Sequence, residues 1–515
     1  MKKRSLSAIL ALIMVLAMFP AVHGESTADL PLVSEPVTLT MFVSLNSGLV
    51  GITNDYAETP FFKELEARTG VHIAFNVPPT GEETTAYNLL IASGELPDLI
   101  FGAQKYPGGM DAAADDGYYL DLTPYLDTYL KDYKAVIDSR PEVAKEVKSD
   151  TGRVLGCYQV MTIPQSPYAG LMIRKDWLDE LGLEIPVTYD DWEIVLTKFK
   201  EEKGAYAPLC LNATGSMTRS YAMSAGFNAI PDFMLVDGKV VYGATTQGWH
   251  DYLALMADWY EKGLIDPDFM TTKTEYVDNA MVISGQTGAF NAIYTLPSSL
   301  EASVPGMELV GVTSPVVHEG DKLHIRINVG AGVSGPVAIS ADSKNAEVAM
   351  KWMNYLYTEE GALLKNFGLE NDTFVYNSEG KPVFTDKIIN NPEYTMNQAI
   401  ALYTCPSARF GGLYDWTREQ AGMAEKDIAM SDVWAVADGD YMLPTNLTYY
   451  PEESSERATI VTDIKTYMEE KTVQFITKVA NLDEEWDTYV ATIEGIGLQR
   501  AIEITQAAYD RYMSR

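Results

Sequence analysis

The stretch Gly170–Trp192, GLMIRKDWLDELGLEIPVTYDDW, leaves the chain few ways to fold. Leu171–Ile173 is an apolar run of strand length. Arg174–Asp176 opens a short helix whose inner face is Trp177, Leu178 and Leu181. Gly182 stands where a helix end takes a left-handed residue. After a turn at Pro186, Thr188 and Asp191 have the spacing of a capping box. Trp192, Val195, Leu196 and Phe199 then recur at helical intervals. Strand, short helix, turn and capped helix in this order predict an α/β segment.

The chain of 515 residues is too long for one small domain and suits two or three lobes. Lys+Arg 38 against Asp+Glu 72 gives 38 − 72 = −34. That balance argues against nucleic acid, whose phosphates need a basic surface, and against an anionic membrane or ligand. A neutral ligand fits, and a cationic one is compatible. Lys2, Lys3 and Arg4 followed by the apolar run Ala8–Phe19 predict an export signal over Met1–Gly24. No Cys follows that run, so a lipid anchor of the usual lipoprotein kind is not expected; an extracellular or periplasmic location is. Cys157, Cys210 and Cys405 are odd in number and widely spaced, which predicts buried free thiols.

Signs of catalysis are few. GVSGP at Gly332–Pro336 fails the spacing of a nucleophile elbow, and no phosphate loop or dinucleotide fingerprint occurs. With 72 acidic residues, a carboxylate pair for glycoside hydrolysis cannot be singled out. The histidines form no HxxH pair. Asp266, Asp268 and Asp278 could meet around a calcium ion, although carboxylates so spaced are usually solvated. No cofactor or metal is expected.

Along the chain, Val37–Val43 alternates as a strand. Thr59 and Pro60 start a helix that Gly70 stops, and Val71–Val77 reads as the next strand. A helix through Tyr87–Ala92 then leads by a tight turn into a buried strand at Leu99–Phe101. This alternation predicts a mainly parallel sheet. Trp249, Tyr252, Leu253, Met256 and Tyr260 mark a helix, and Asn345–Leu364 another. The C-terminal residues around Trp486–Ala508 read as two packed helices.

Several blocks carry a family likeness: ASGELPDLIF (Ala92–Phe101), the organising stretch itself, GLIDPDF (Gly263–Phe269), GQTGAFNAIY (Gly285–Tyr294) and, most specific, AMKWMNYLYTEEGALLKNFG (Ala349–Gly368). Together they resemble family 1 extracellular solute-binding proteins, the sugar-capturing subunits of ABC importers, and among these the LipO-like branch. In that branch a lipid-anchor cysteine is expected, and its absence here is a departure. The resemblance implies an α/β, two-lobe periplasmic-binding-protein-like fold, each lobe a mainly parallel sheet flanked by helices, with the ligand cleft at the hinge. It places lobe one at 25–160 and 309–366, and lobe two at 161–308 and 367–515.

Sugar binding needs flat apolar faces and planar polar groups. The resemblance puts Tyr294 where sugar-binding relatives place an aromatic. Trp416 and Tyr414 lie in the Gly-rich loop RFGGLYDW, and Phe227 and Tyr221 in a lobe-two loop. Gln104 and Lys105 follow a strand at its carboxyl end, where α/β sheets place ligand contacts; Asn46 and Ser47 follow the first strand. Arg409 is a candidate for clasping hydroxyls. Trp177, Arg174, Asp176, Trp192 and Asp98 read as structural. The expected function is capture of a carbohydrate, an oligosaccharide, by lobe closure and its delivery to an ABC permease, as a monomer and without chemistry. A binding protein for a peptide or cationic metabolite, a sensor-associated subunit and a secreted glycoside hydrolase are the alternatives.

Overall fold

The computed structural model describes residues 29–163, 165–211, 221–271, 276–327, 332–406, 409–421 and 423–515; the expected export signal lies outside them. Its strands are β1 (Val37–Phe42), β2 (Val71–Asn76), β3 (Leu99–Phe101), β4 (Cys157–Met161), β5 (Ala169–Arg174), β6 (Leu209–Cys210), β7 (Phe233–Val236), β8 (Lys239–Tyr242), β9 (Ala289–Ile293), β10 (Leu309–Val312), β11 (Val333–Ile339), β12 (Phe374–Tyr376), β13 (Pro382–Phe384) and β14 (Gly412–Tyr414). Two mixed sheets result, with orders β14-β4-β11-β3-β1-β2 and β10-β5-β9-β6; β7–β8 and β12–β13 form separate hairpins.

The organising stretch forms as its sequence dictates. β5 is buried along its whole length, helix Lys175–Leu181 ends on left-handed Gly182, and Thr188 and Asp191 close the capping box of helix Tyr189–Lys203. Gly170 is required by packing: a Cβ there would lie 2.5 Å from the indole of Trp434, whose Nε1–H donates to Leu171 O at 3.0 Å. Arg174 pairs with Asp176 and covers the Trp177 ring at 4.5 Å. Trp192 is fully buried. Asp98 accepts hydrogen bonds from the Thr40 amide and hydroxyl and ties β1 to its neighbour's approach. The three cysteines are buried thiols, and Cys210 Sγ–H donates to Asp266.

Strand direction follows the passages between sheets. β4 and β14 both run out of the first sheet and are parallel to each other; β11 returns and is antiparallel to β4 and β3. In the second sheet β5 enters, and β9 and β10 run against it. Only β6 and β9 are parallel there. The second sheet is therefore mostly antiparallel, where the family resemblance implies mainly parallel strands.

Two stretches pack differently from the expected boundaries. Leu309–Val312 is a strand of the second sheet, paired with β5, so the second passage follows it. Residues 367–414 stay with the first sheet: Phe374 and Phe384 pack on Phe367, Ala401, Leu402, Cys405 and Phe410 join the first core, and β14 pairs with β4. The third passage comes after Tyr414, and helix Glu425–Trp434 then packs on β10 and β5. The stretch Trp486–Ala508 forms the two expected helices, Leu482–Ile496 and Leu498–Ser514, and a longer helix, Pro451–Ile476, precedes them. That preceding helix has a thin apolar stripe of Ile464, Met468 and Phe475 amid charge.

The last helix also reaches back to the first lobe. Asp150, 2% exposed, receives Arg511 Nε–H at 3.0 Å and Arg515 Nε–H at 3.2 Å. Arg515 further donates to Lys145 O and Lys148 O at 3.0 and 2.7 Å. Removing one member of a buried charge group typically costs about 3–5 kcal/mol. Asp150→Asn should accordingly lower unfolding free energy by about 3 kcal/mol in urea melts; a change below about 0.5 kcal/mol would show the clasp to be peripheral.

Candidate functional site

Where the chain passes between the sheets lies a cleft of about 400 Å³, a volume suited to a small-molecule ligand. Its walls are supplied by both lobes and by the passages themselves. From lobe one come Asn46 and Ser47, Met161 at the end of β4, Asn397 of helix Met396–Tyr403, and Tyr414 at the end of β14. From the passages come Gln165, Tyr168, Trp416, Arg418 and Glu419. Lobe two supplies Ile293, Tyr294 and Thr295, at and beyond the end of β9.

The aromatic groups are held from opposite sides. Tyr294 and Trp416 meet with ring centroids 5.9 Å apart and planes tilted by 48°, so that contact runs from one lobe to the passage leaving the other. Both rings are largely buried against their surroundings, at 4% and 6% exposure. The Tyr414 hydroxyl donates to Glu419 Oε1. Burial, and secondarily the Glu419 charge, push the Tyr294 phenol above its ordinary range, so it stays a neutral hydrogen-bonding group.

Behind these rings the charges are enclosed. Arg418, 1% exposed, donates to Cys405 O at 2.9 Å and Thr404 Oγ1 at 2.7 Å. Its Nε makes no hydrogen bond and faces Glu419 Oε1 at 3.5 Å. Glu419 is the one carboxylate among the described residues lining the cleft. The remaining polar groups are amides and hydroxyls, which match the donor and acceptor pattern of a polyol.

Of the residues singled out in the sequence, Asn46, Ser47, Tyr294, Tyr414 and Trp416 line this cleft. Arg409 stands behind it: its guanidinium donates to Ser44 O at 3.1 Å and Leu45 O at 3.2 Å, and Tyr56 also donates to Ser44 O. Arg409 thus holds the loop that presents Asn46. Phe227 does not reach the cleft; it stacks on Tyr189 at 4.4 Å inside lobe two. Tyr221, with left-handed φ of 57°, packs against the lobe-two core. Gln104 lines a different crevice of about 530 Å³, formed with Thr445–Tyr449. Lys105 is exposed on the turn Ala103–Lys105 and lines neither.

Gln165, Tyr168, Thr295, Asn397, Arg418 and Glu419 were not foreseen. The one signal for them is position, since most flank a passage or a foreseen aromatic. Asp266, Asp268 and Asp278 do not gather: Asp266 accepts the Asp268 amide, Asp268 accepts the Tyr206 hydroxyl at 2.8 Å, and Asp278 caps helix Asn279–Ile283. Among the described residues the carboxylate–histidine set close enough for a cation is His324, Asp438 and Asp440, none of which lines the cleft.

Comparison with known proteins agrees with this architecture. The family model of bacterial extracellular solute-binding proteins matches residues 51–363. The fructooligosaccharide ABC transporter substrate-binding protein FusA of Streptococcus pneumoniae is 25% identical over 496 residues, covering 89% of this chain and 88% of its own. Lipoprotein LipO of Bacillus subtilis is 25% identical over 382 residues, covering 67% and 73%. Among solved structures, an HMO-binding, ABC-transporter-associated solute-binding protein from Bifidobacterium longum infantis superposes with a TM-score of 0.75 at 18% identity, over 93% of this chain and 99% of that one. Two sheets joined by three passages, a cleft at the passages and a family match over more than half its length lead to one conclusion: this chain belongs to the bacterial extracellular solute-binding proteins.

Proposed function

We propose that this protein captures an uncharged oligosaccharide between its lobes and delivers it to an ABC permease. The observation that carries the reading is the composition of the cleft. Aromatic rings from opposite sides, Tyr294 against Tyr414 and Trp416, accompany the amides of Asn46, Gln165 and Asn397. Rings take the C–H faces of a sugar, and amides take its hydroxyls. The relative from Streptococcus pneumoniae is named for fructooligosaccharide, which supports the carbohydrate class.

Lobe one is residues 29–161 with 333–414, and lobe two 169–312 with 425–515. Ligand that bridges Tyr294 and Trp416 binds the closed arrangement more tightly than the open one and so shifts the population toward it. Charge favours an uncharged ligand. The chain carries a net −34, and the single guanidinium among the described lining residues is turned toward the Cys405 carbonyl and the Thr404 hydroxyl behind it. An oligouronide would find repulsion without an accessible cation. Paired-carboxylate hydrolysis needs two acids flanking the bond, whereas the described lining holds Glu419 alone, so we assign no reaction.

A thermal-shift screen tests the ligand class. Neutral oligosaccharide at about 100 times its Kd should add about 2.7 kcal/mol of stability, with the sugar recovered intact and oligouronides of equal length inert. A response to peptides or polyamines alone would keep the fold and overturn the ligand class. In calorimetric titrations, Trp416→Ala and Tyr294→Ala should each weaken binding by about 1–3 kcal/mol while leaving the melt cooperative. Unchanged affinity in both would remove the rings from the site.

A further inference from the structure

We infer that Lys365 and Asn366, at the end of helix Glu359–Phe367, are positioning residues of the cleft, holding the strand that carries Tyr414 and leads directly to Trp416 without touching ligand themselves. The inference rests on the cleft being the ligand site and adds to it a pair of residues that line no part of it.

β14 is an edge strand of three residues. On one side it pairs with β4. The backbone groups on its other side have no strand to meet, yet they are buried, and buried backbone groups need partners. The helix end supplies them. Lys365 Nζ donates to Gly411 O. Asn366 Nδ2–H donates to Leu413 O at 3.1 Å, and its Oδ1 accepts the Asp415 amide at 2.9 Å. The Leu413 amide donates to Leu356 O at 3.0 Å. Two side chains thus do for the outer edge of β14 what another strand would do. The approach has no slack: Gly411 and Gly412 have φ of 64° and 81°, and a Cβ on Gly412 would lie 2.6 Å from Leu356 Cβ.

Lys365 is a costly choice for packing alone. It is wholly buried, and no carboxylate is among the described ion-pair partners it makes. Burial, opposed by Cys405 and reinforced by the Arg418 cation, pulls its amine down to about 8. An unpaired buried cation is destabilising relative to an apolar side chain of the same volume. What the amine supplies and a methionine could not is the bond to Gly411 O.

Lys365→Met and Asn366→Leu test this, with binding followed by calorimetry and Trp416 followed by fluorine NMR on fluorotryptophan-labelled protein, its resonance assigned through Trp416→Phe. We expect Kd for the neutral oligosaccharide to rise tenfold or more in each. The Trp416 resonance should shift or broaden while the other tryptophans keep theirs. Val282→Ala, destabilised within lobe two, should retain wild-type Kd and an unmoved Trp416 signal. Kd within twofold of wild type in both variants, with Trp416 unmoved, would overturn the inference and make the helix end purely structural. If the wild-type protein binds no sugar, the ligand reading fails, while the Trp416 resonance still decides whether Lys365 and Asn366 position the ring.

Discussion

The three passages between lobes leave or enter the first sheet on three adjacent strands, β14, β4 and β11. This adjacency is the constraint on which the remaining architecture depends. The Thr162 amide donates to Tyr414 O and the Met161 amide to Gly332 O, both at 2.9 Å, so the passages are bonded together as they depart. The backbone joining the lobes is thus gathered into one bundle, which is the arrangement a hinge requires. The cleft lies against that bundle, and Gln165, Tyr168, Trp416 and Glu419 are carried on it. Tyr294 and Asn46 are carried instead by the lobes themselves, so a rotation about this bundle would change the spacing between the two groups.

Legibility in the sequence tracked the range of the interactions involved. The segment Gly170–Trp192 could be read because each of its signals is local: a capping box, a left-handed glycine and an apolar period. Tyr294 was singled out through the family resemblance, and the pair Tyr414 and Trp416 through their Gly-rich loop. Phe227 misled because its loop context is the same as that of a cleft aromatic; the tertiary positions of Tyr189 and Tyr252, both distant in sequence, decide that it packs inside lobe two. The residues 367–414 were assigned to the wrong lobe for a similar reason. β14 is three residues long and shows no period, and its membership of the first sheet is decided by pairing with β4 across the chain. Arg418 and Glu419 could not have been read at all, since a buried arginine and an exposed one look alike in sequence.

Charge is distributed to a purpose consistent with an uncharged ligand. Most of the −34 excess lies outside the cleft, while the enclosed cations Arg418 and Lys365 are turned toward backbone carbonyls. Their role is to hold main chain in place. The motif Ala349–Gly368, the most specific stretch in the sequence, acquires a physical meaning from this: its last residues connect the core of lobe one to the aromatic wall. Outside the lining of the cleft, Asp150 with Arg511 and Arg515 joins the lobes through a second, ionic contact. A polar clasp and a bonded passage bundle together limit how the lobes can turn.

The most direct measurement is a crystal structure of the protein with the oligosaccharide that most raises its melting temperature. The account predicts a sugar ring lying against Trp416 and Tyr294, its hydroxyls on Asn46, Gln165 or Asn397. Sugar seated instead in the crevice of Gln104 and Thr445–Tyr449, with Tyr294 and Trp416 still in mutual contact, would contradict it.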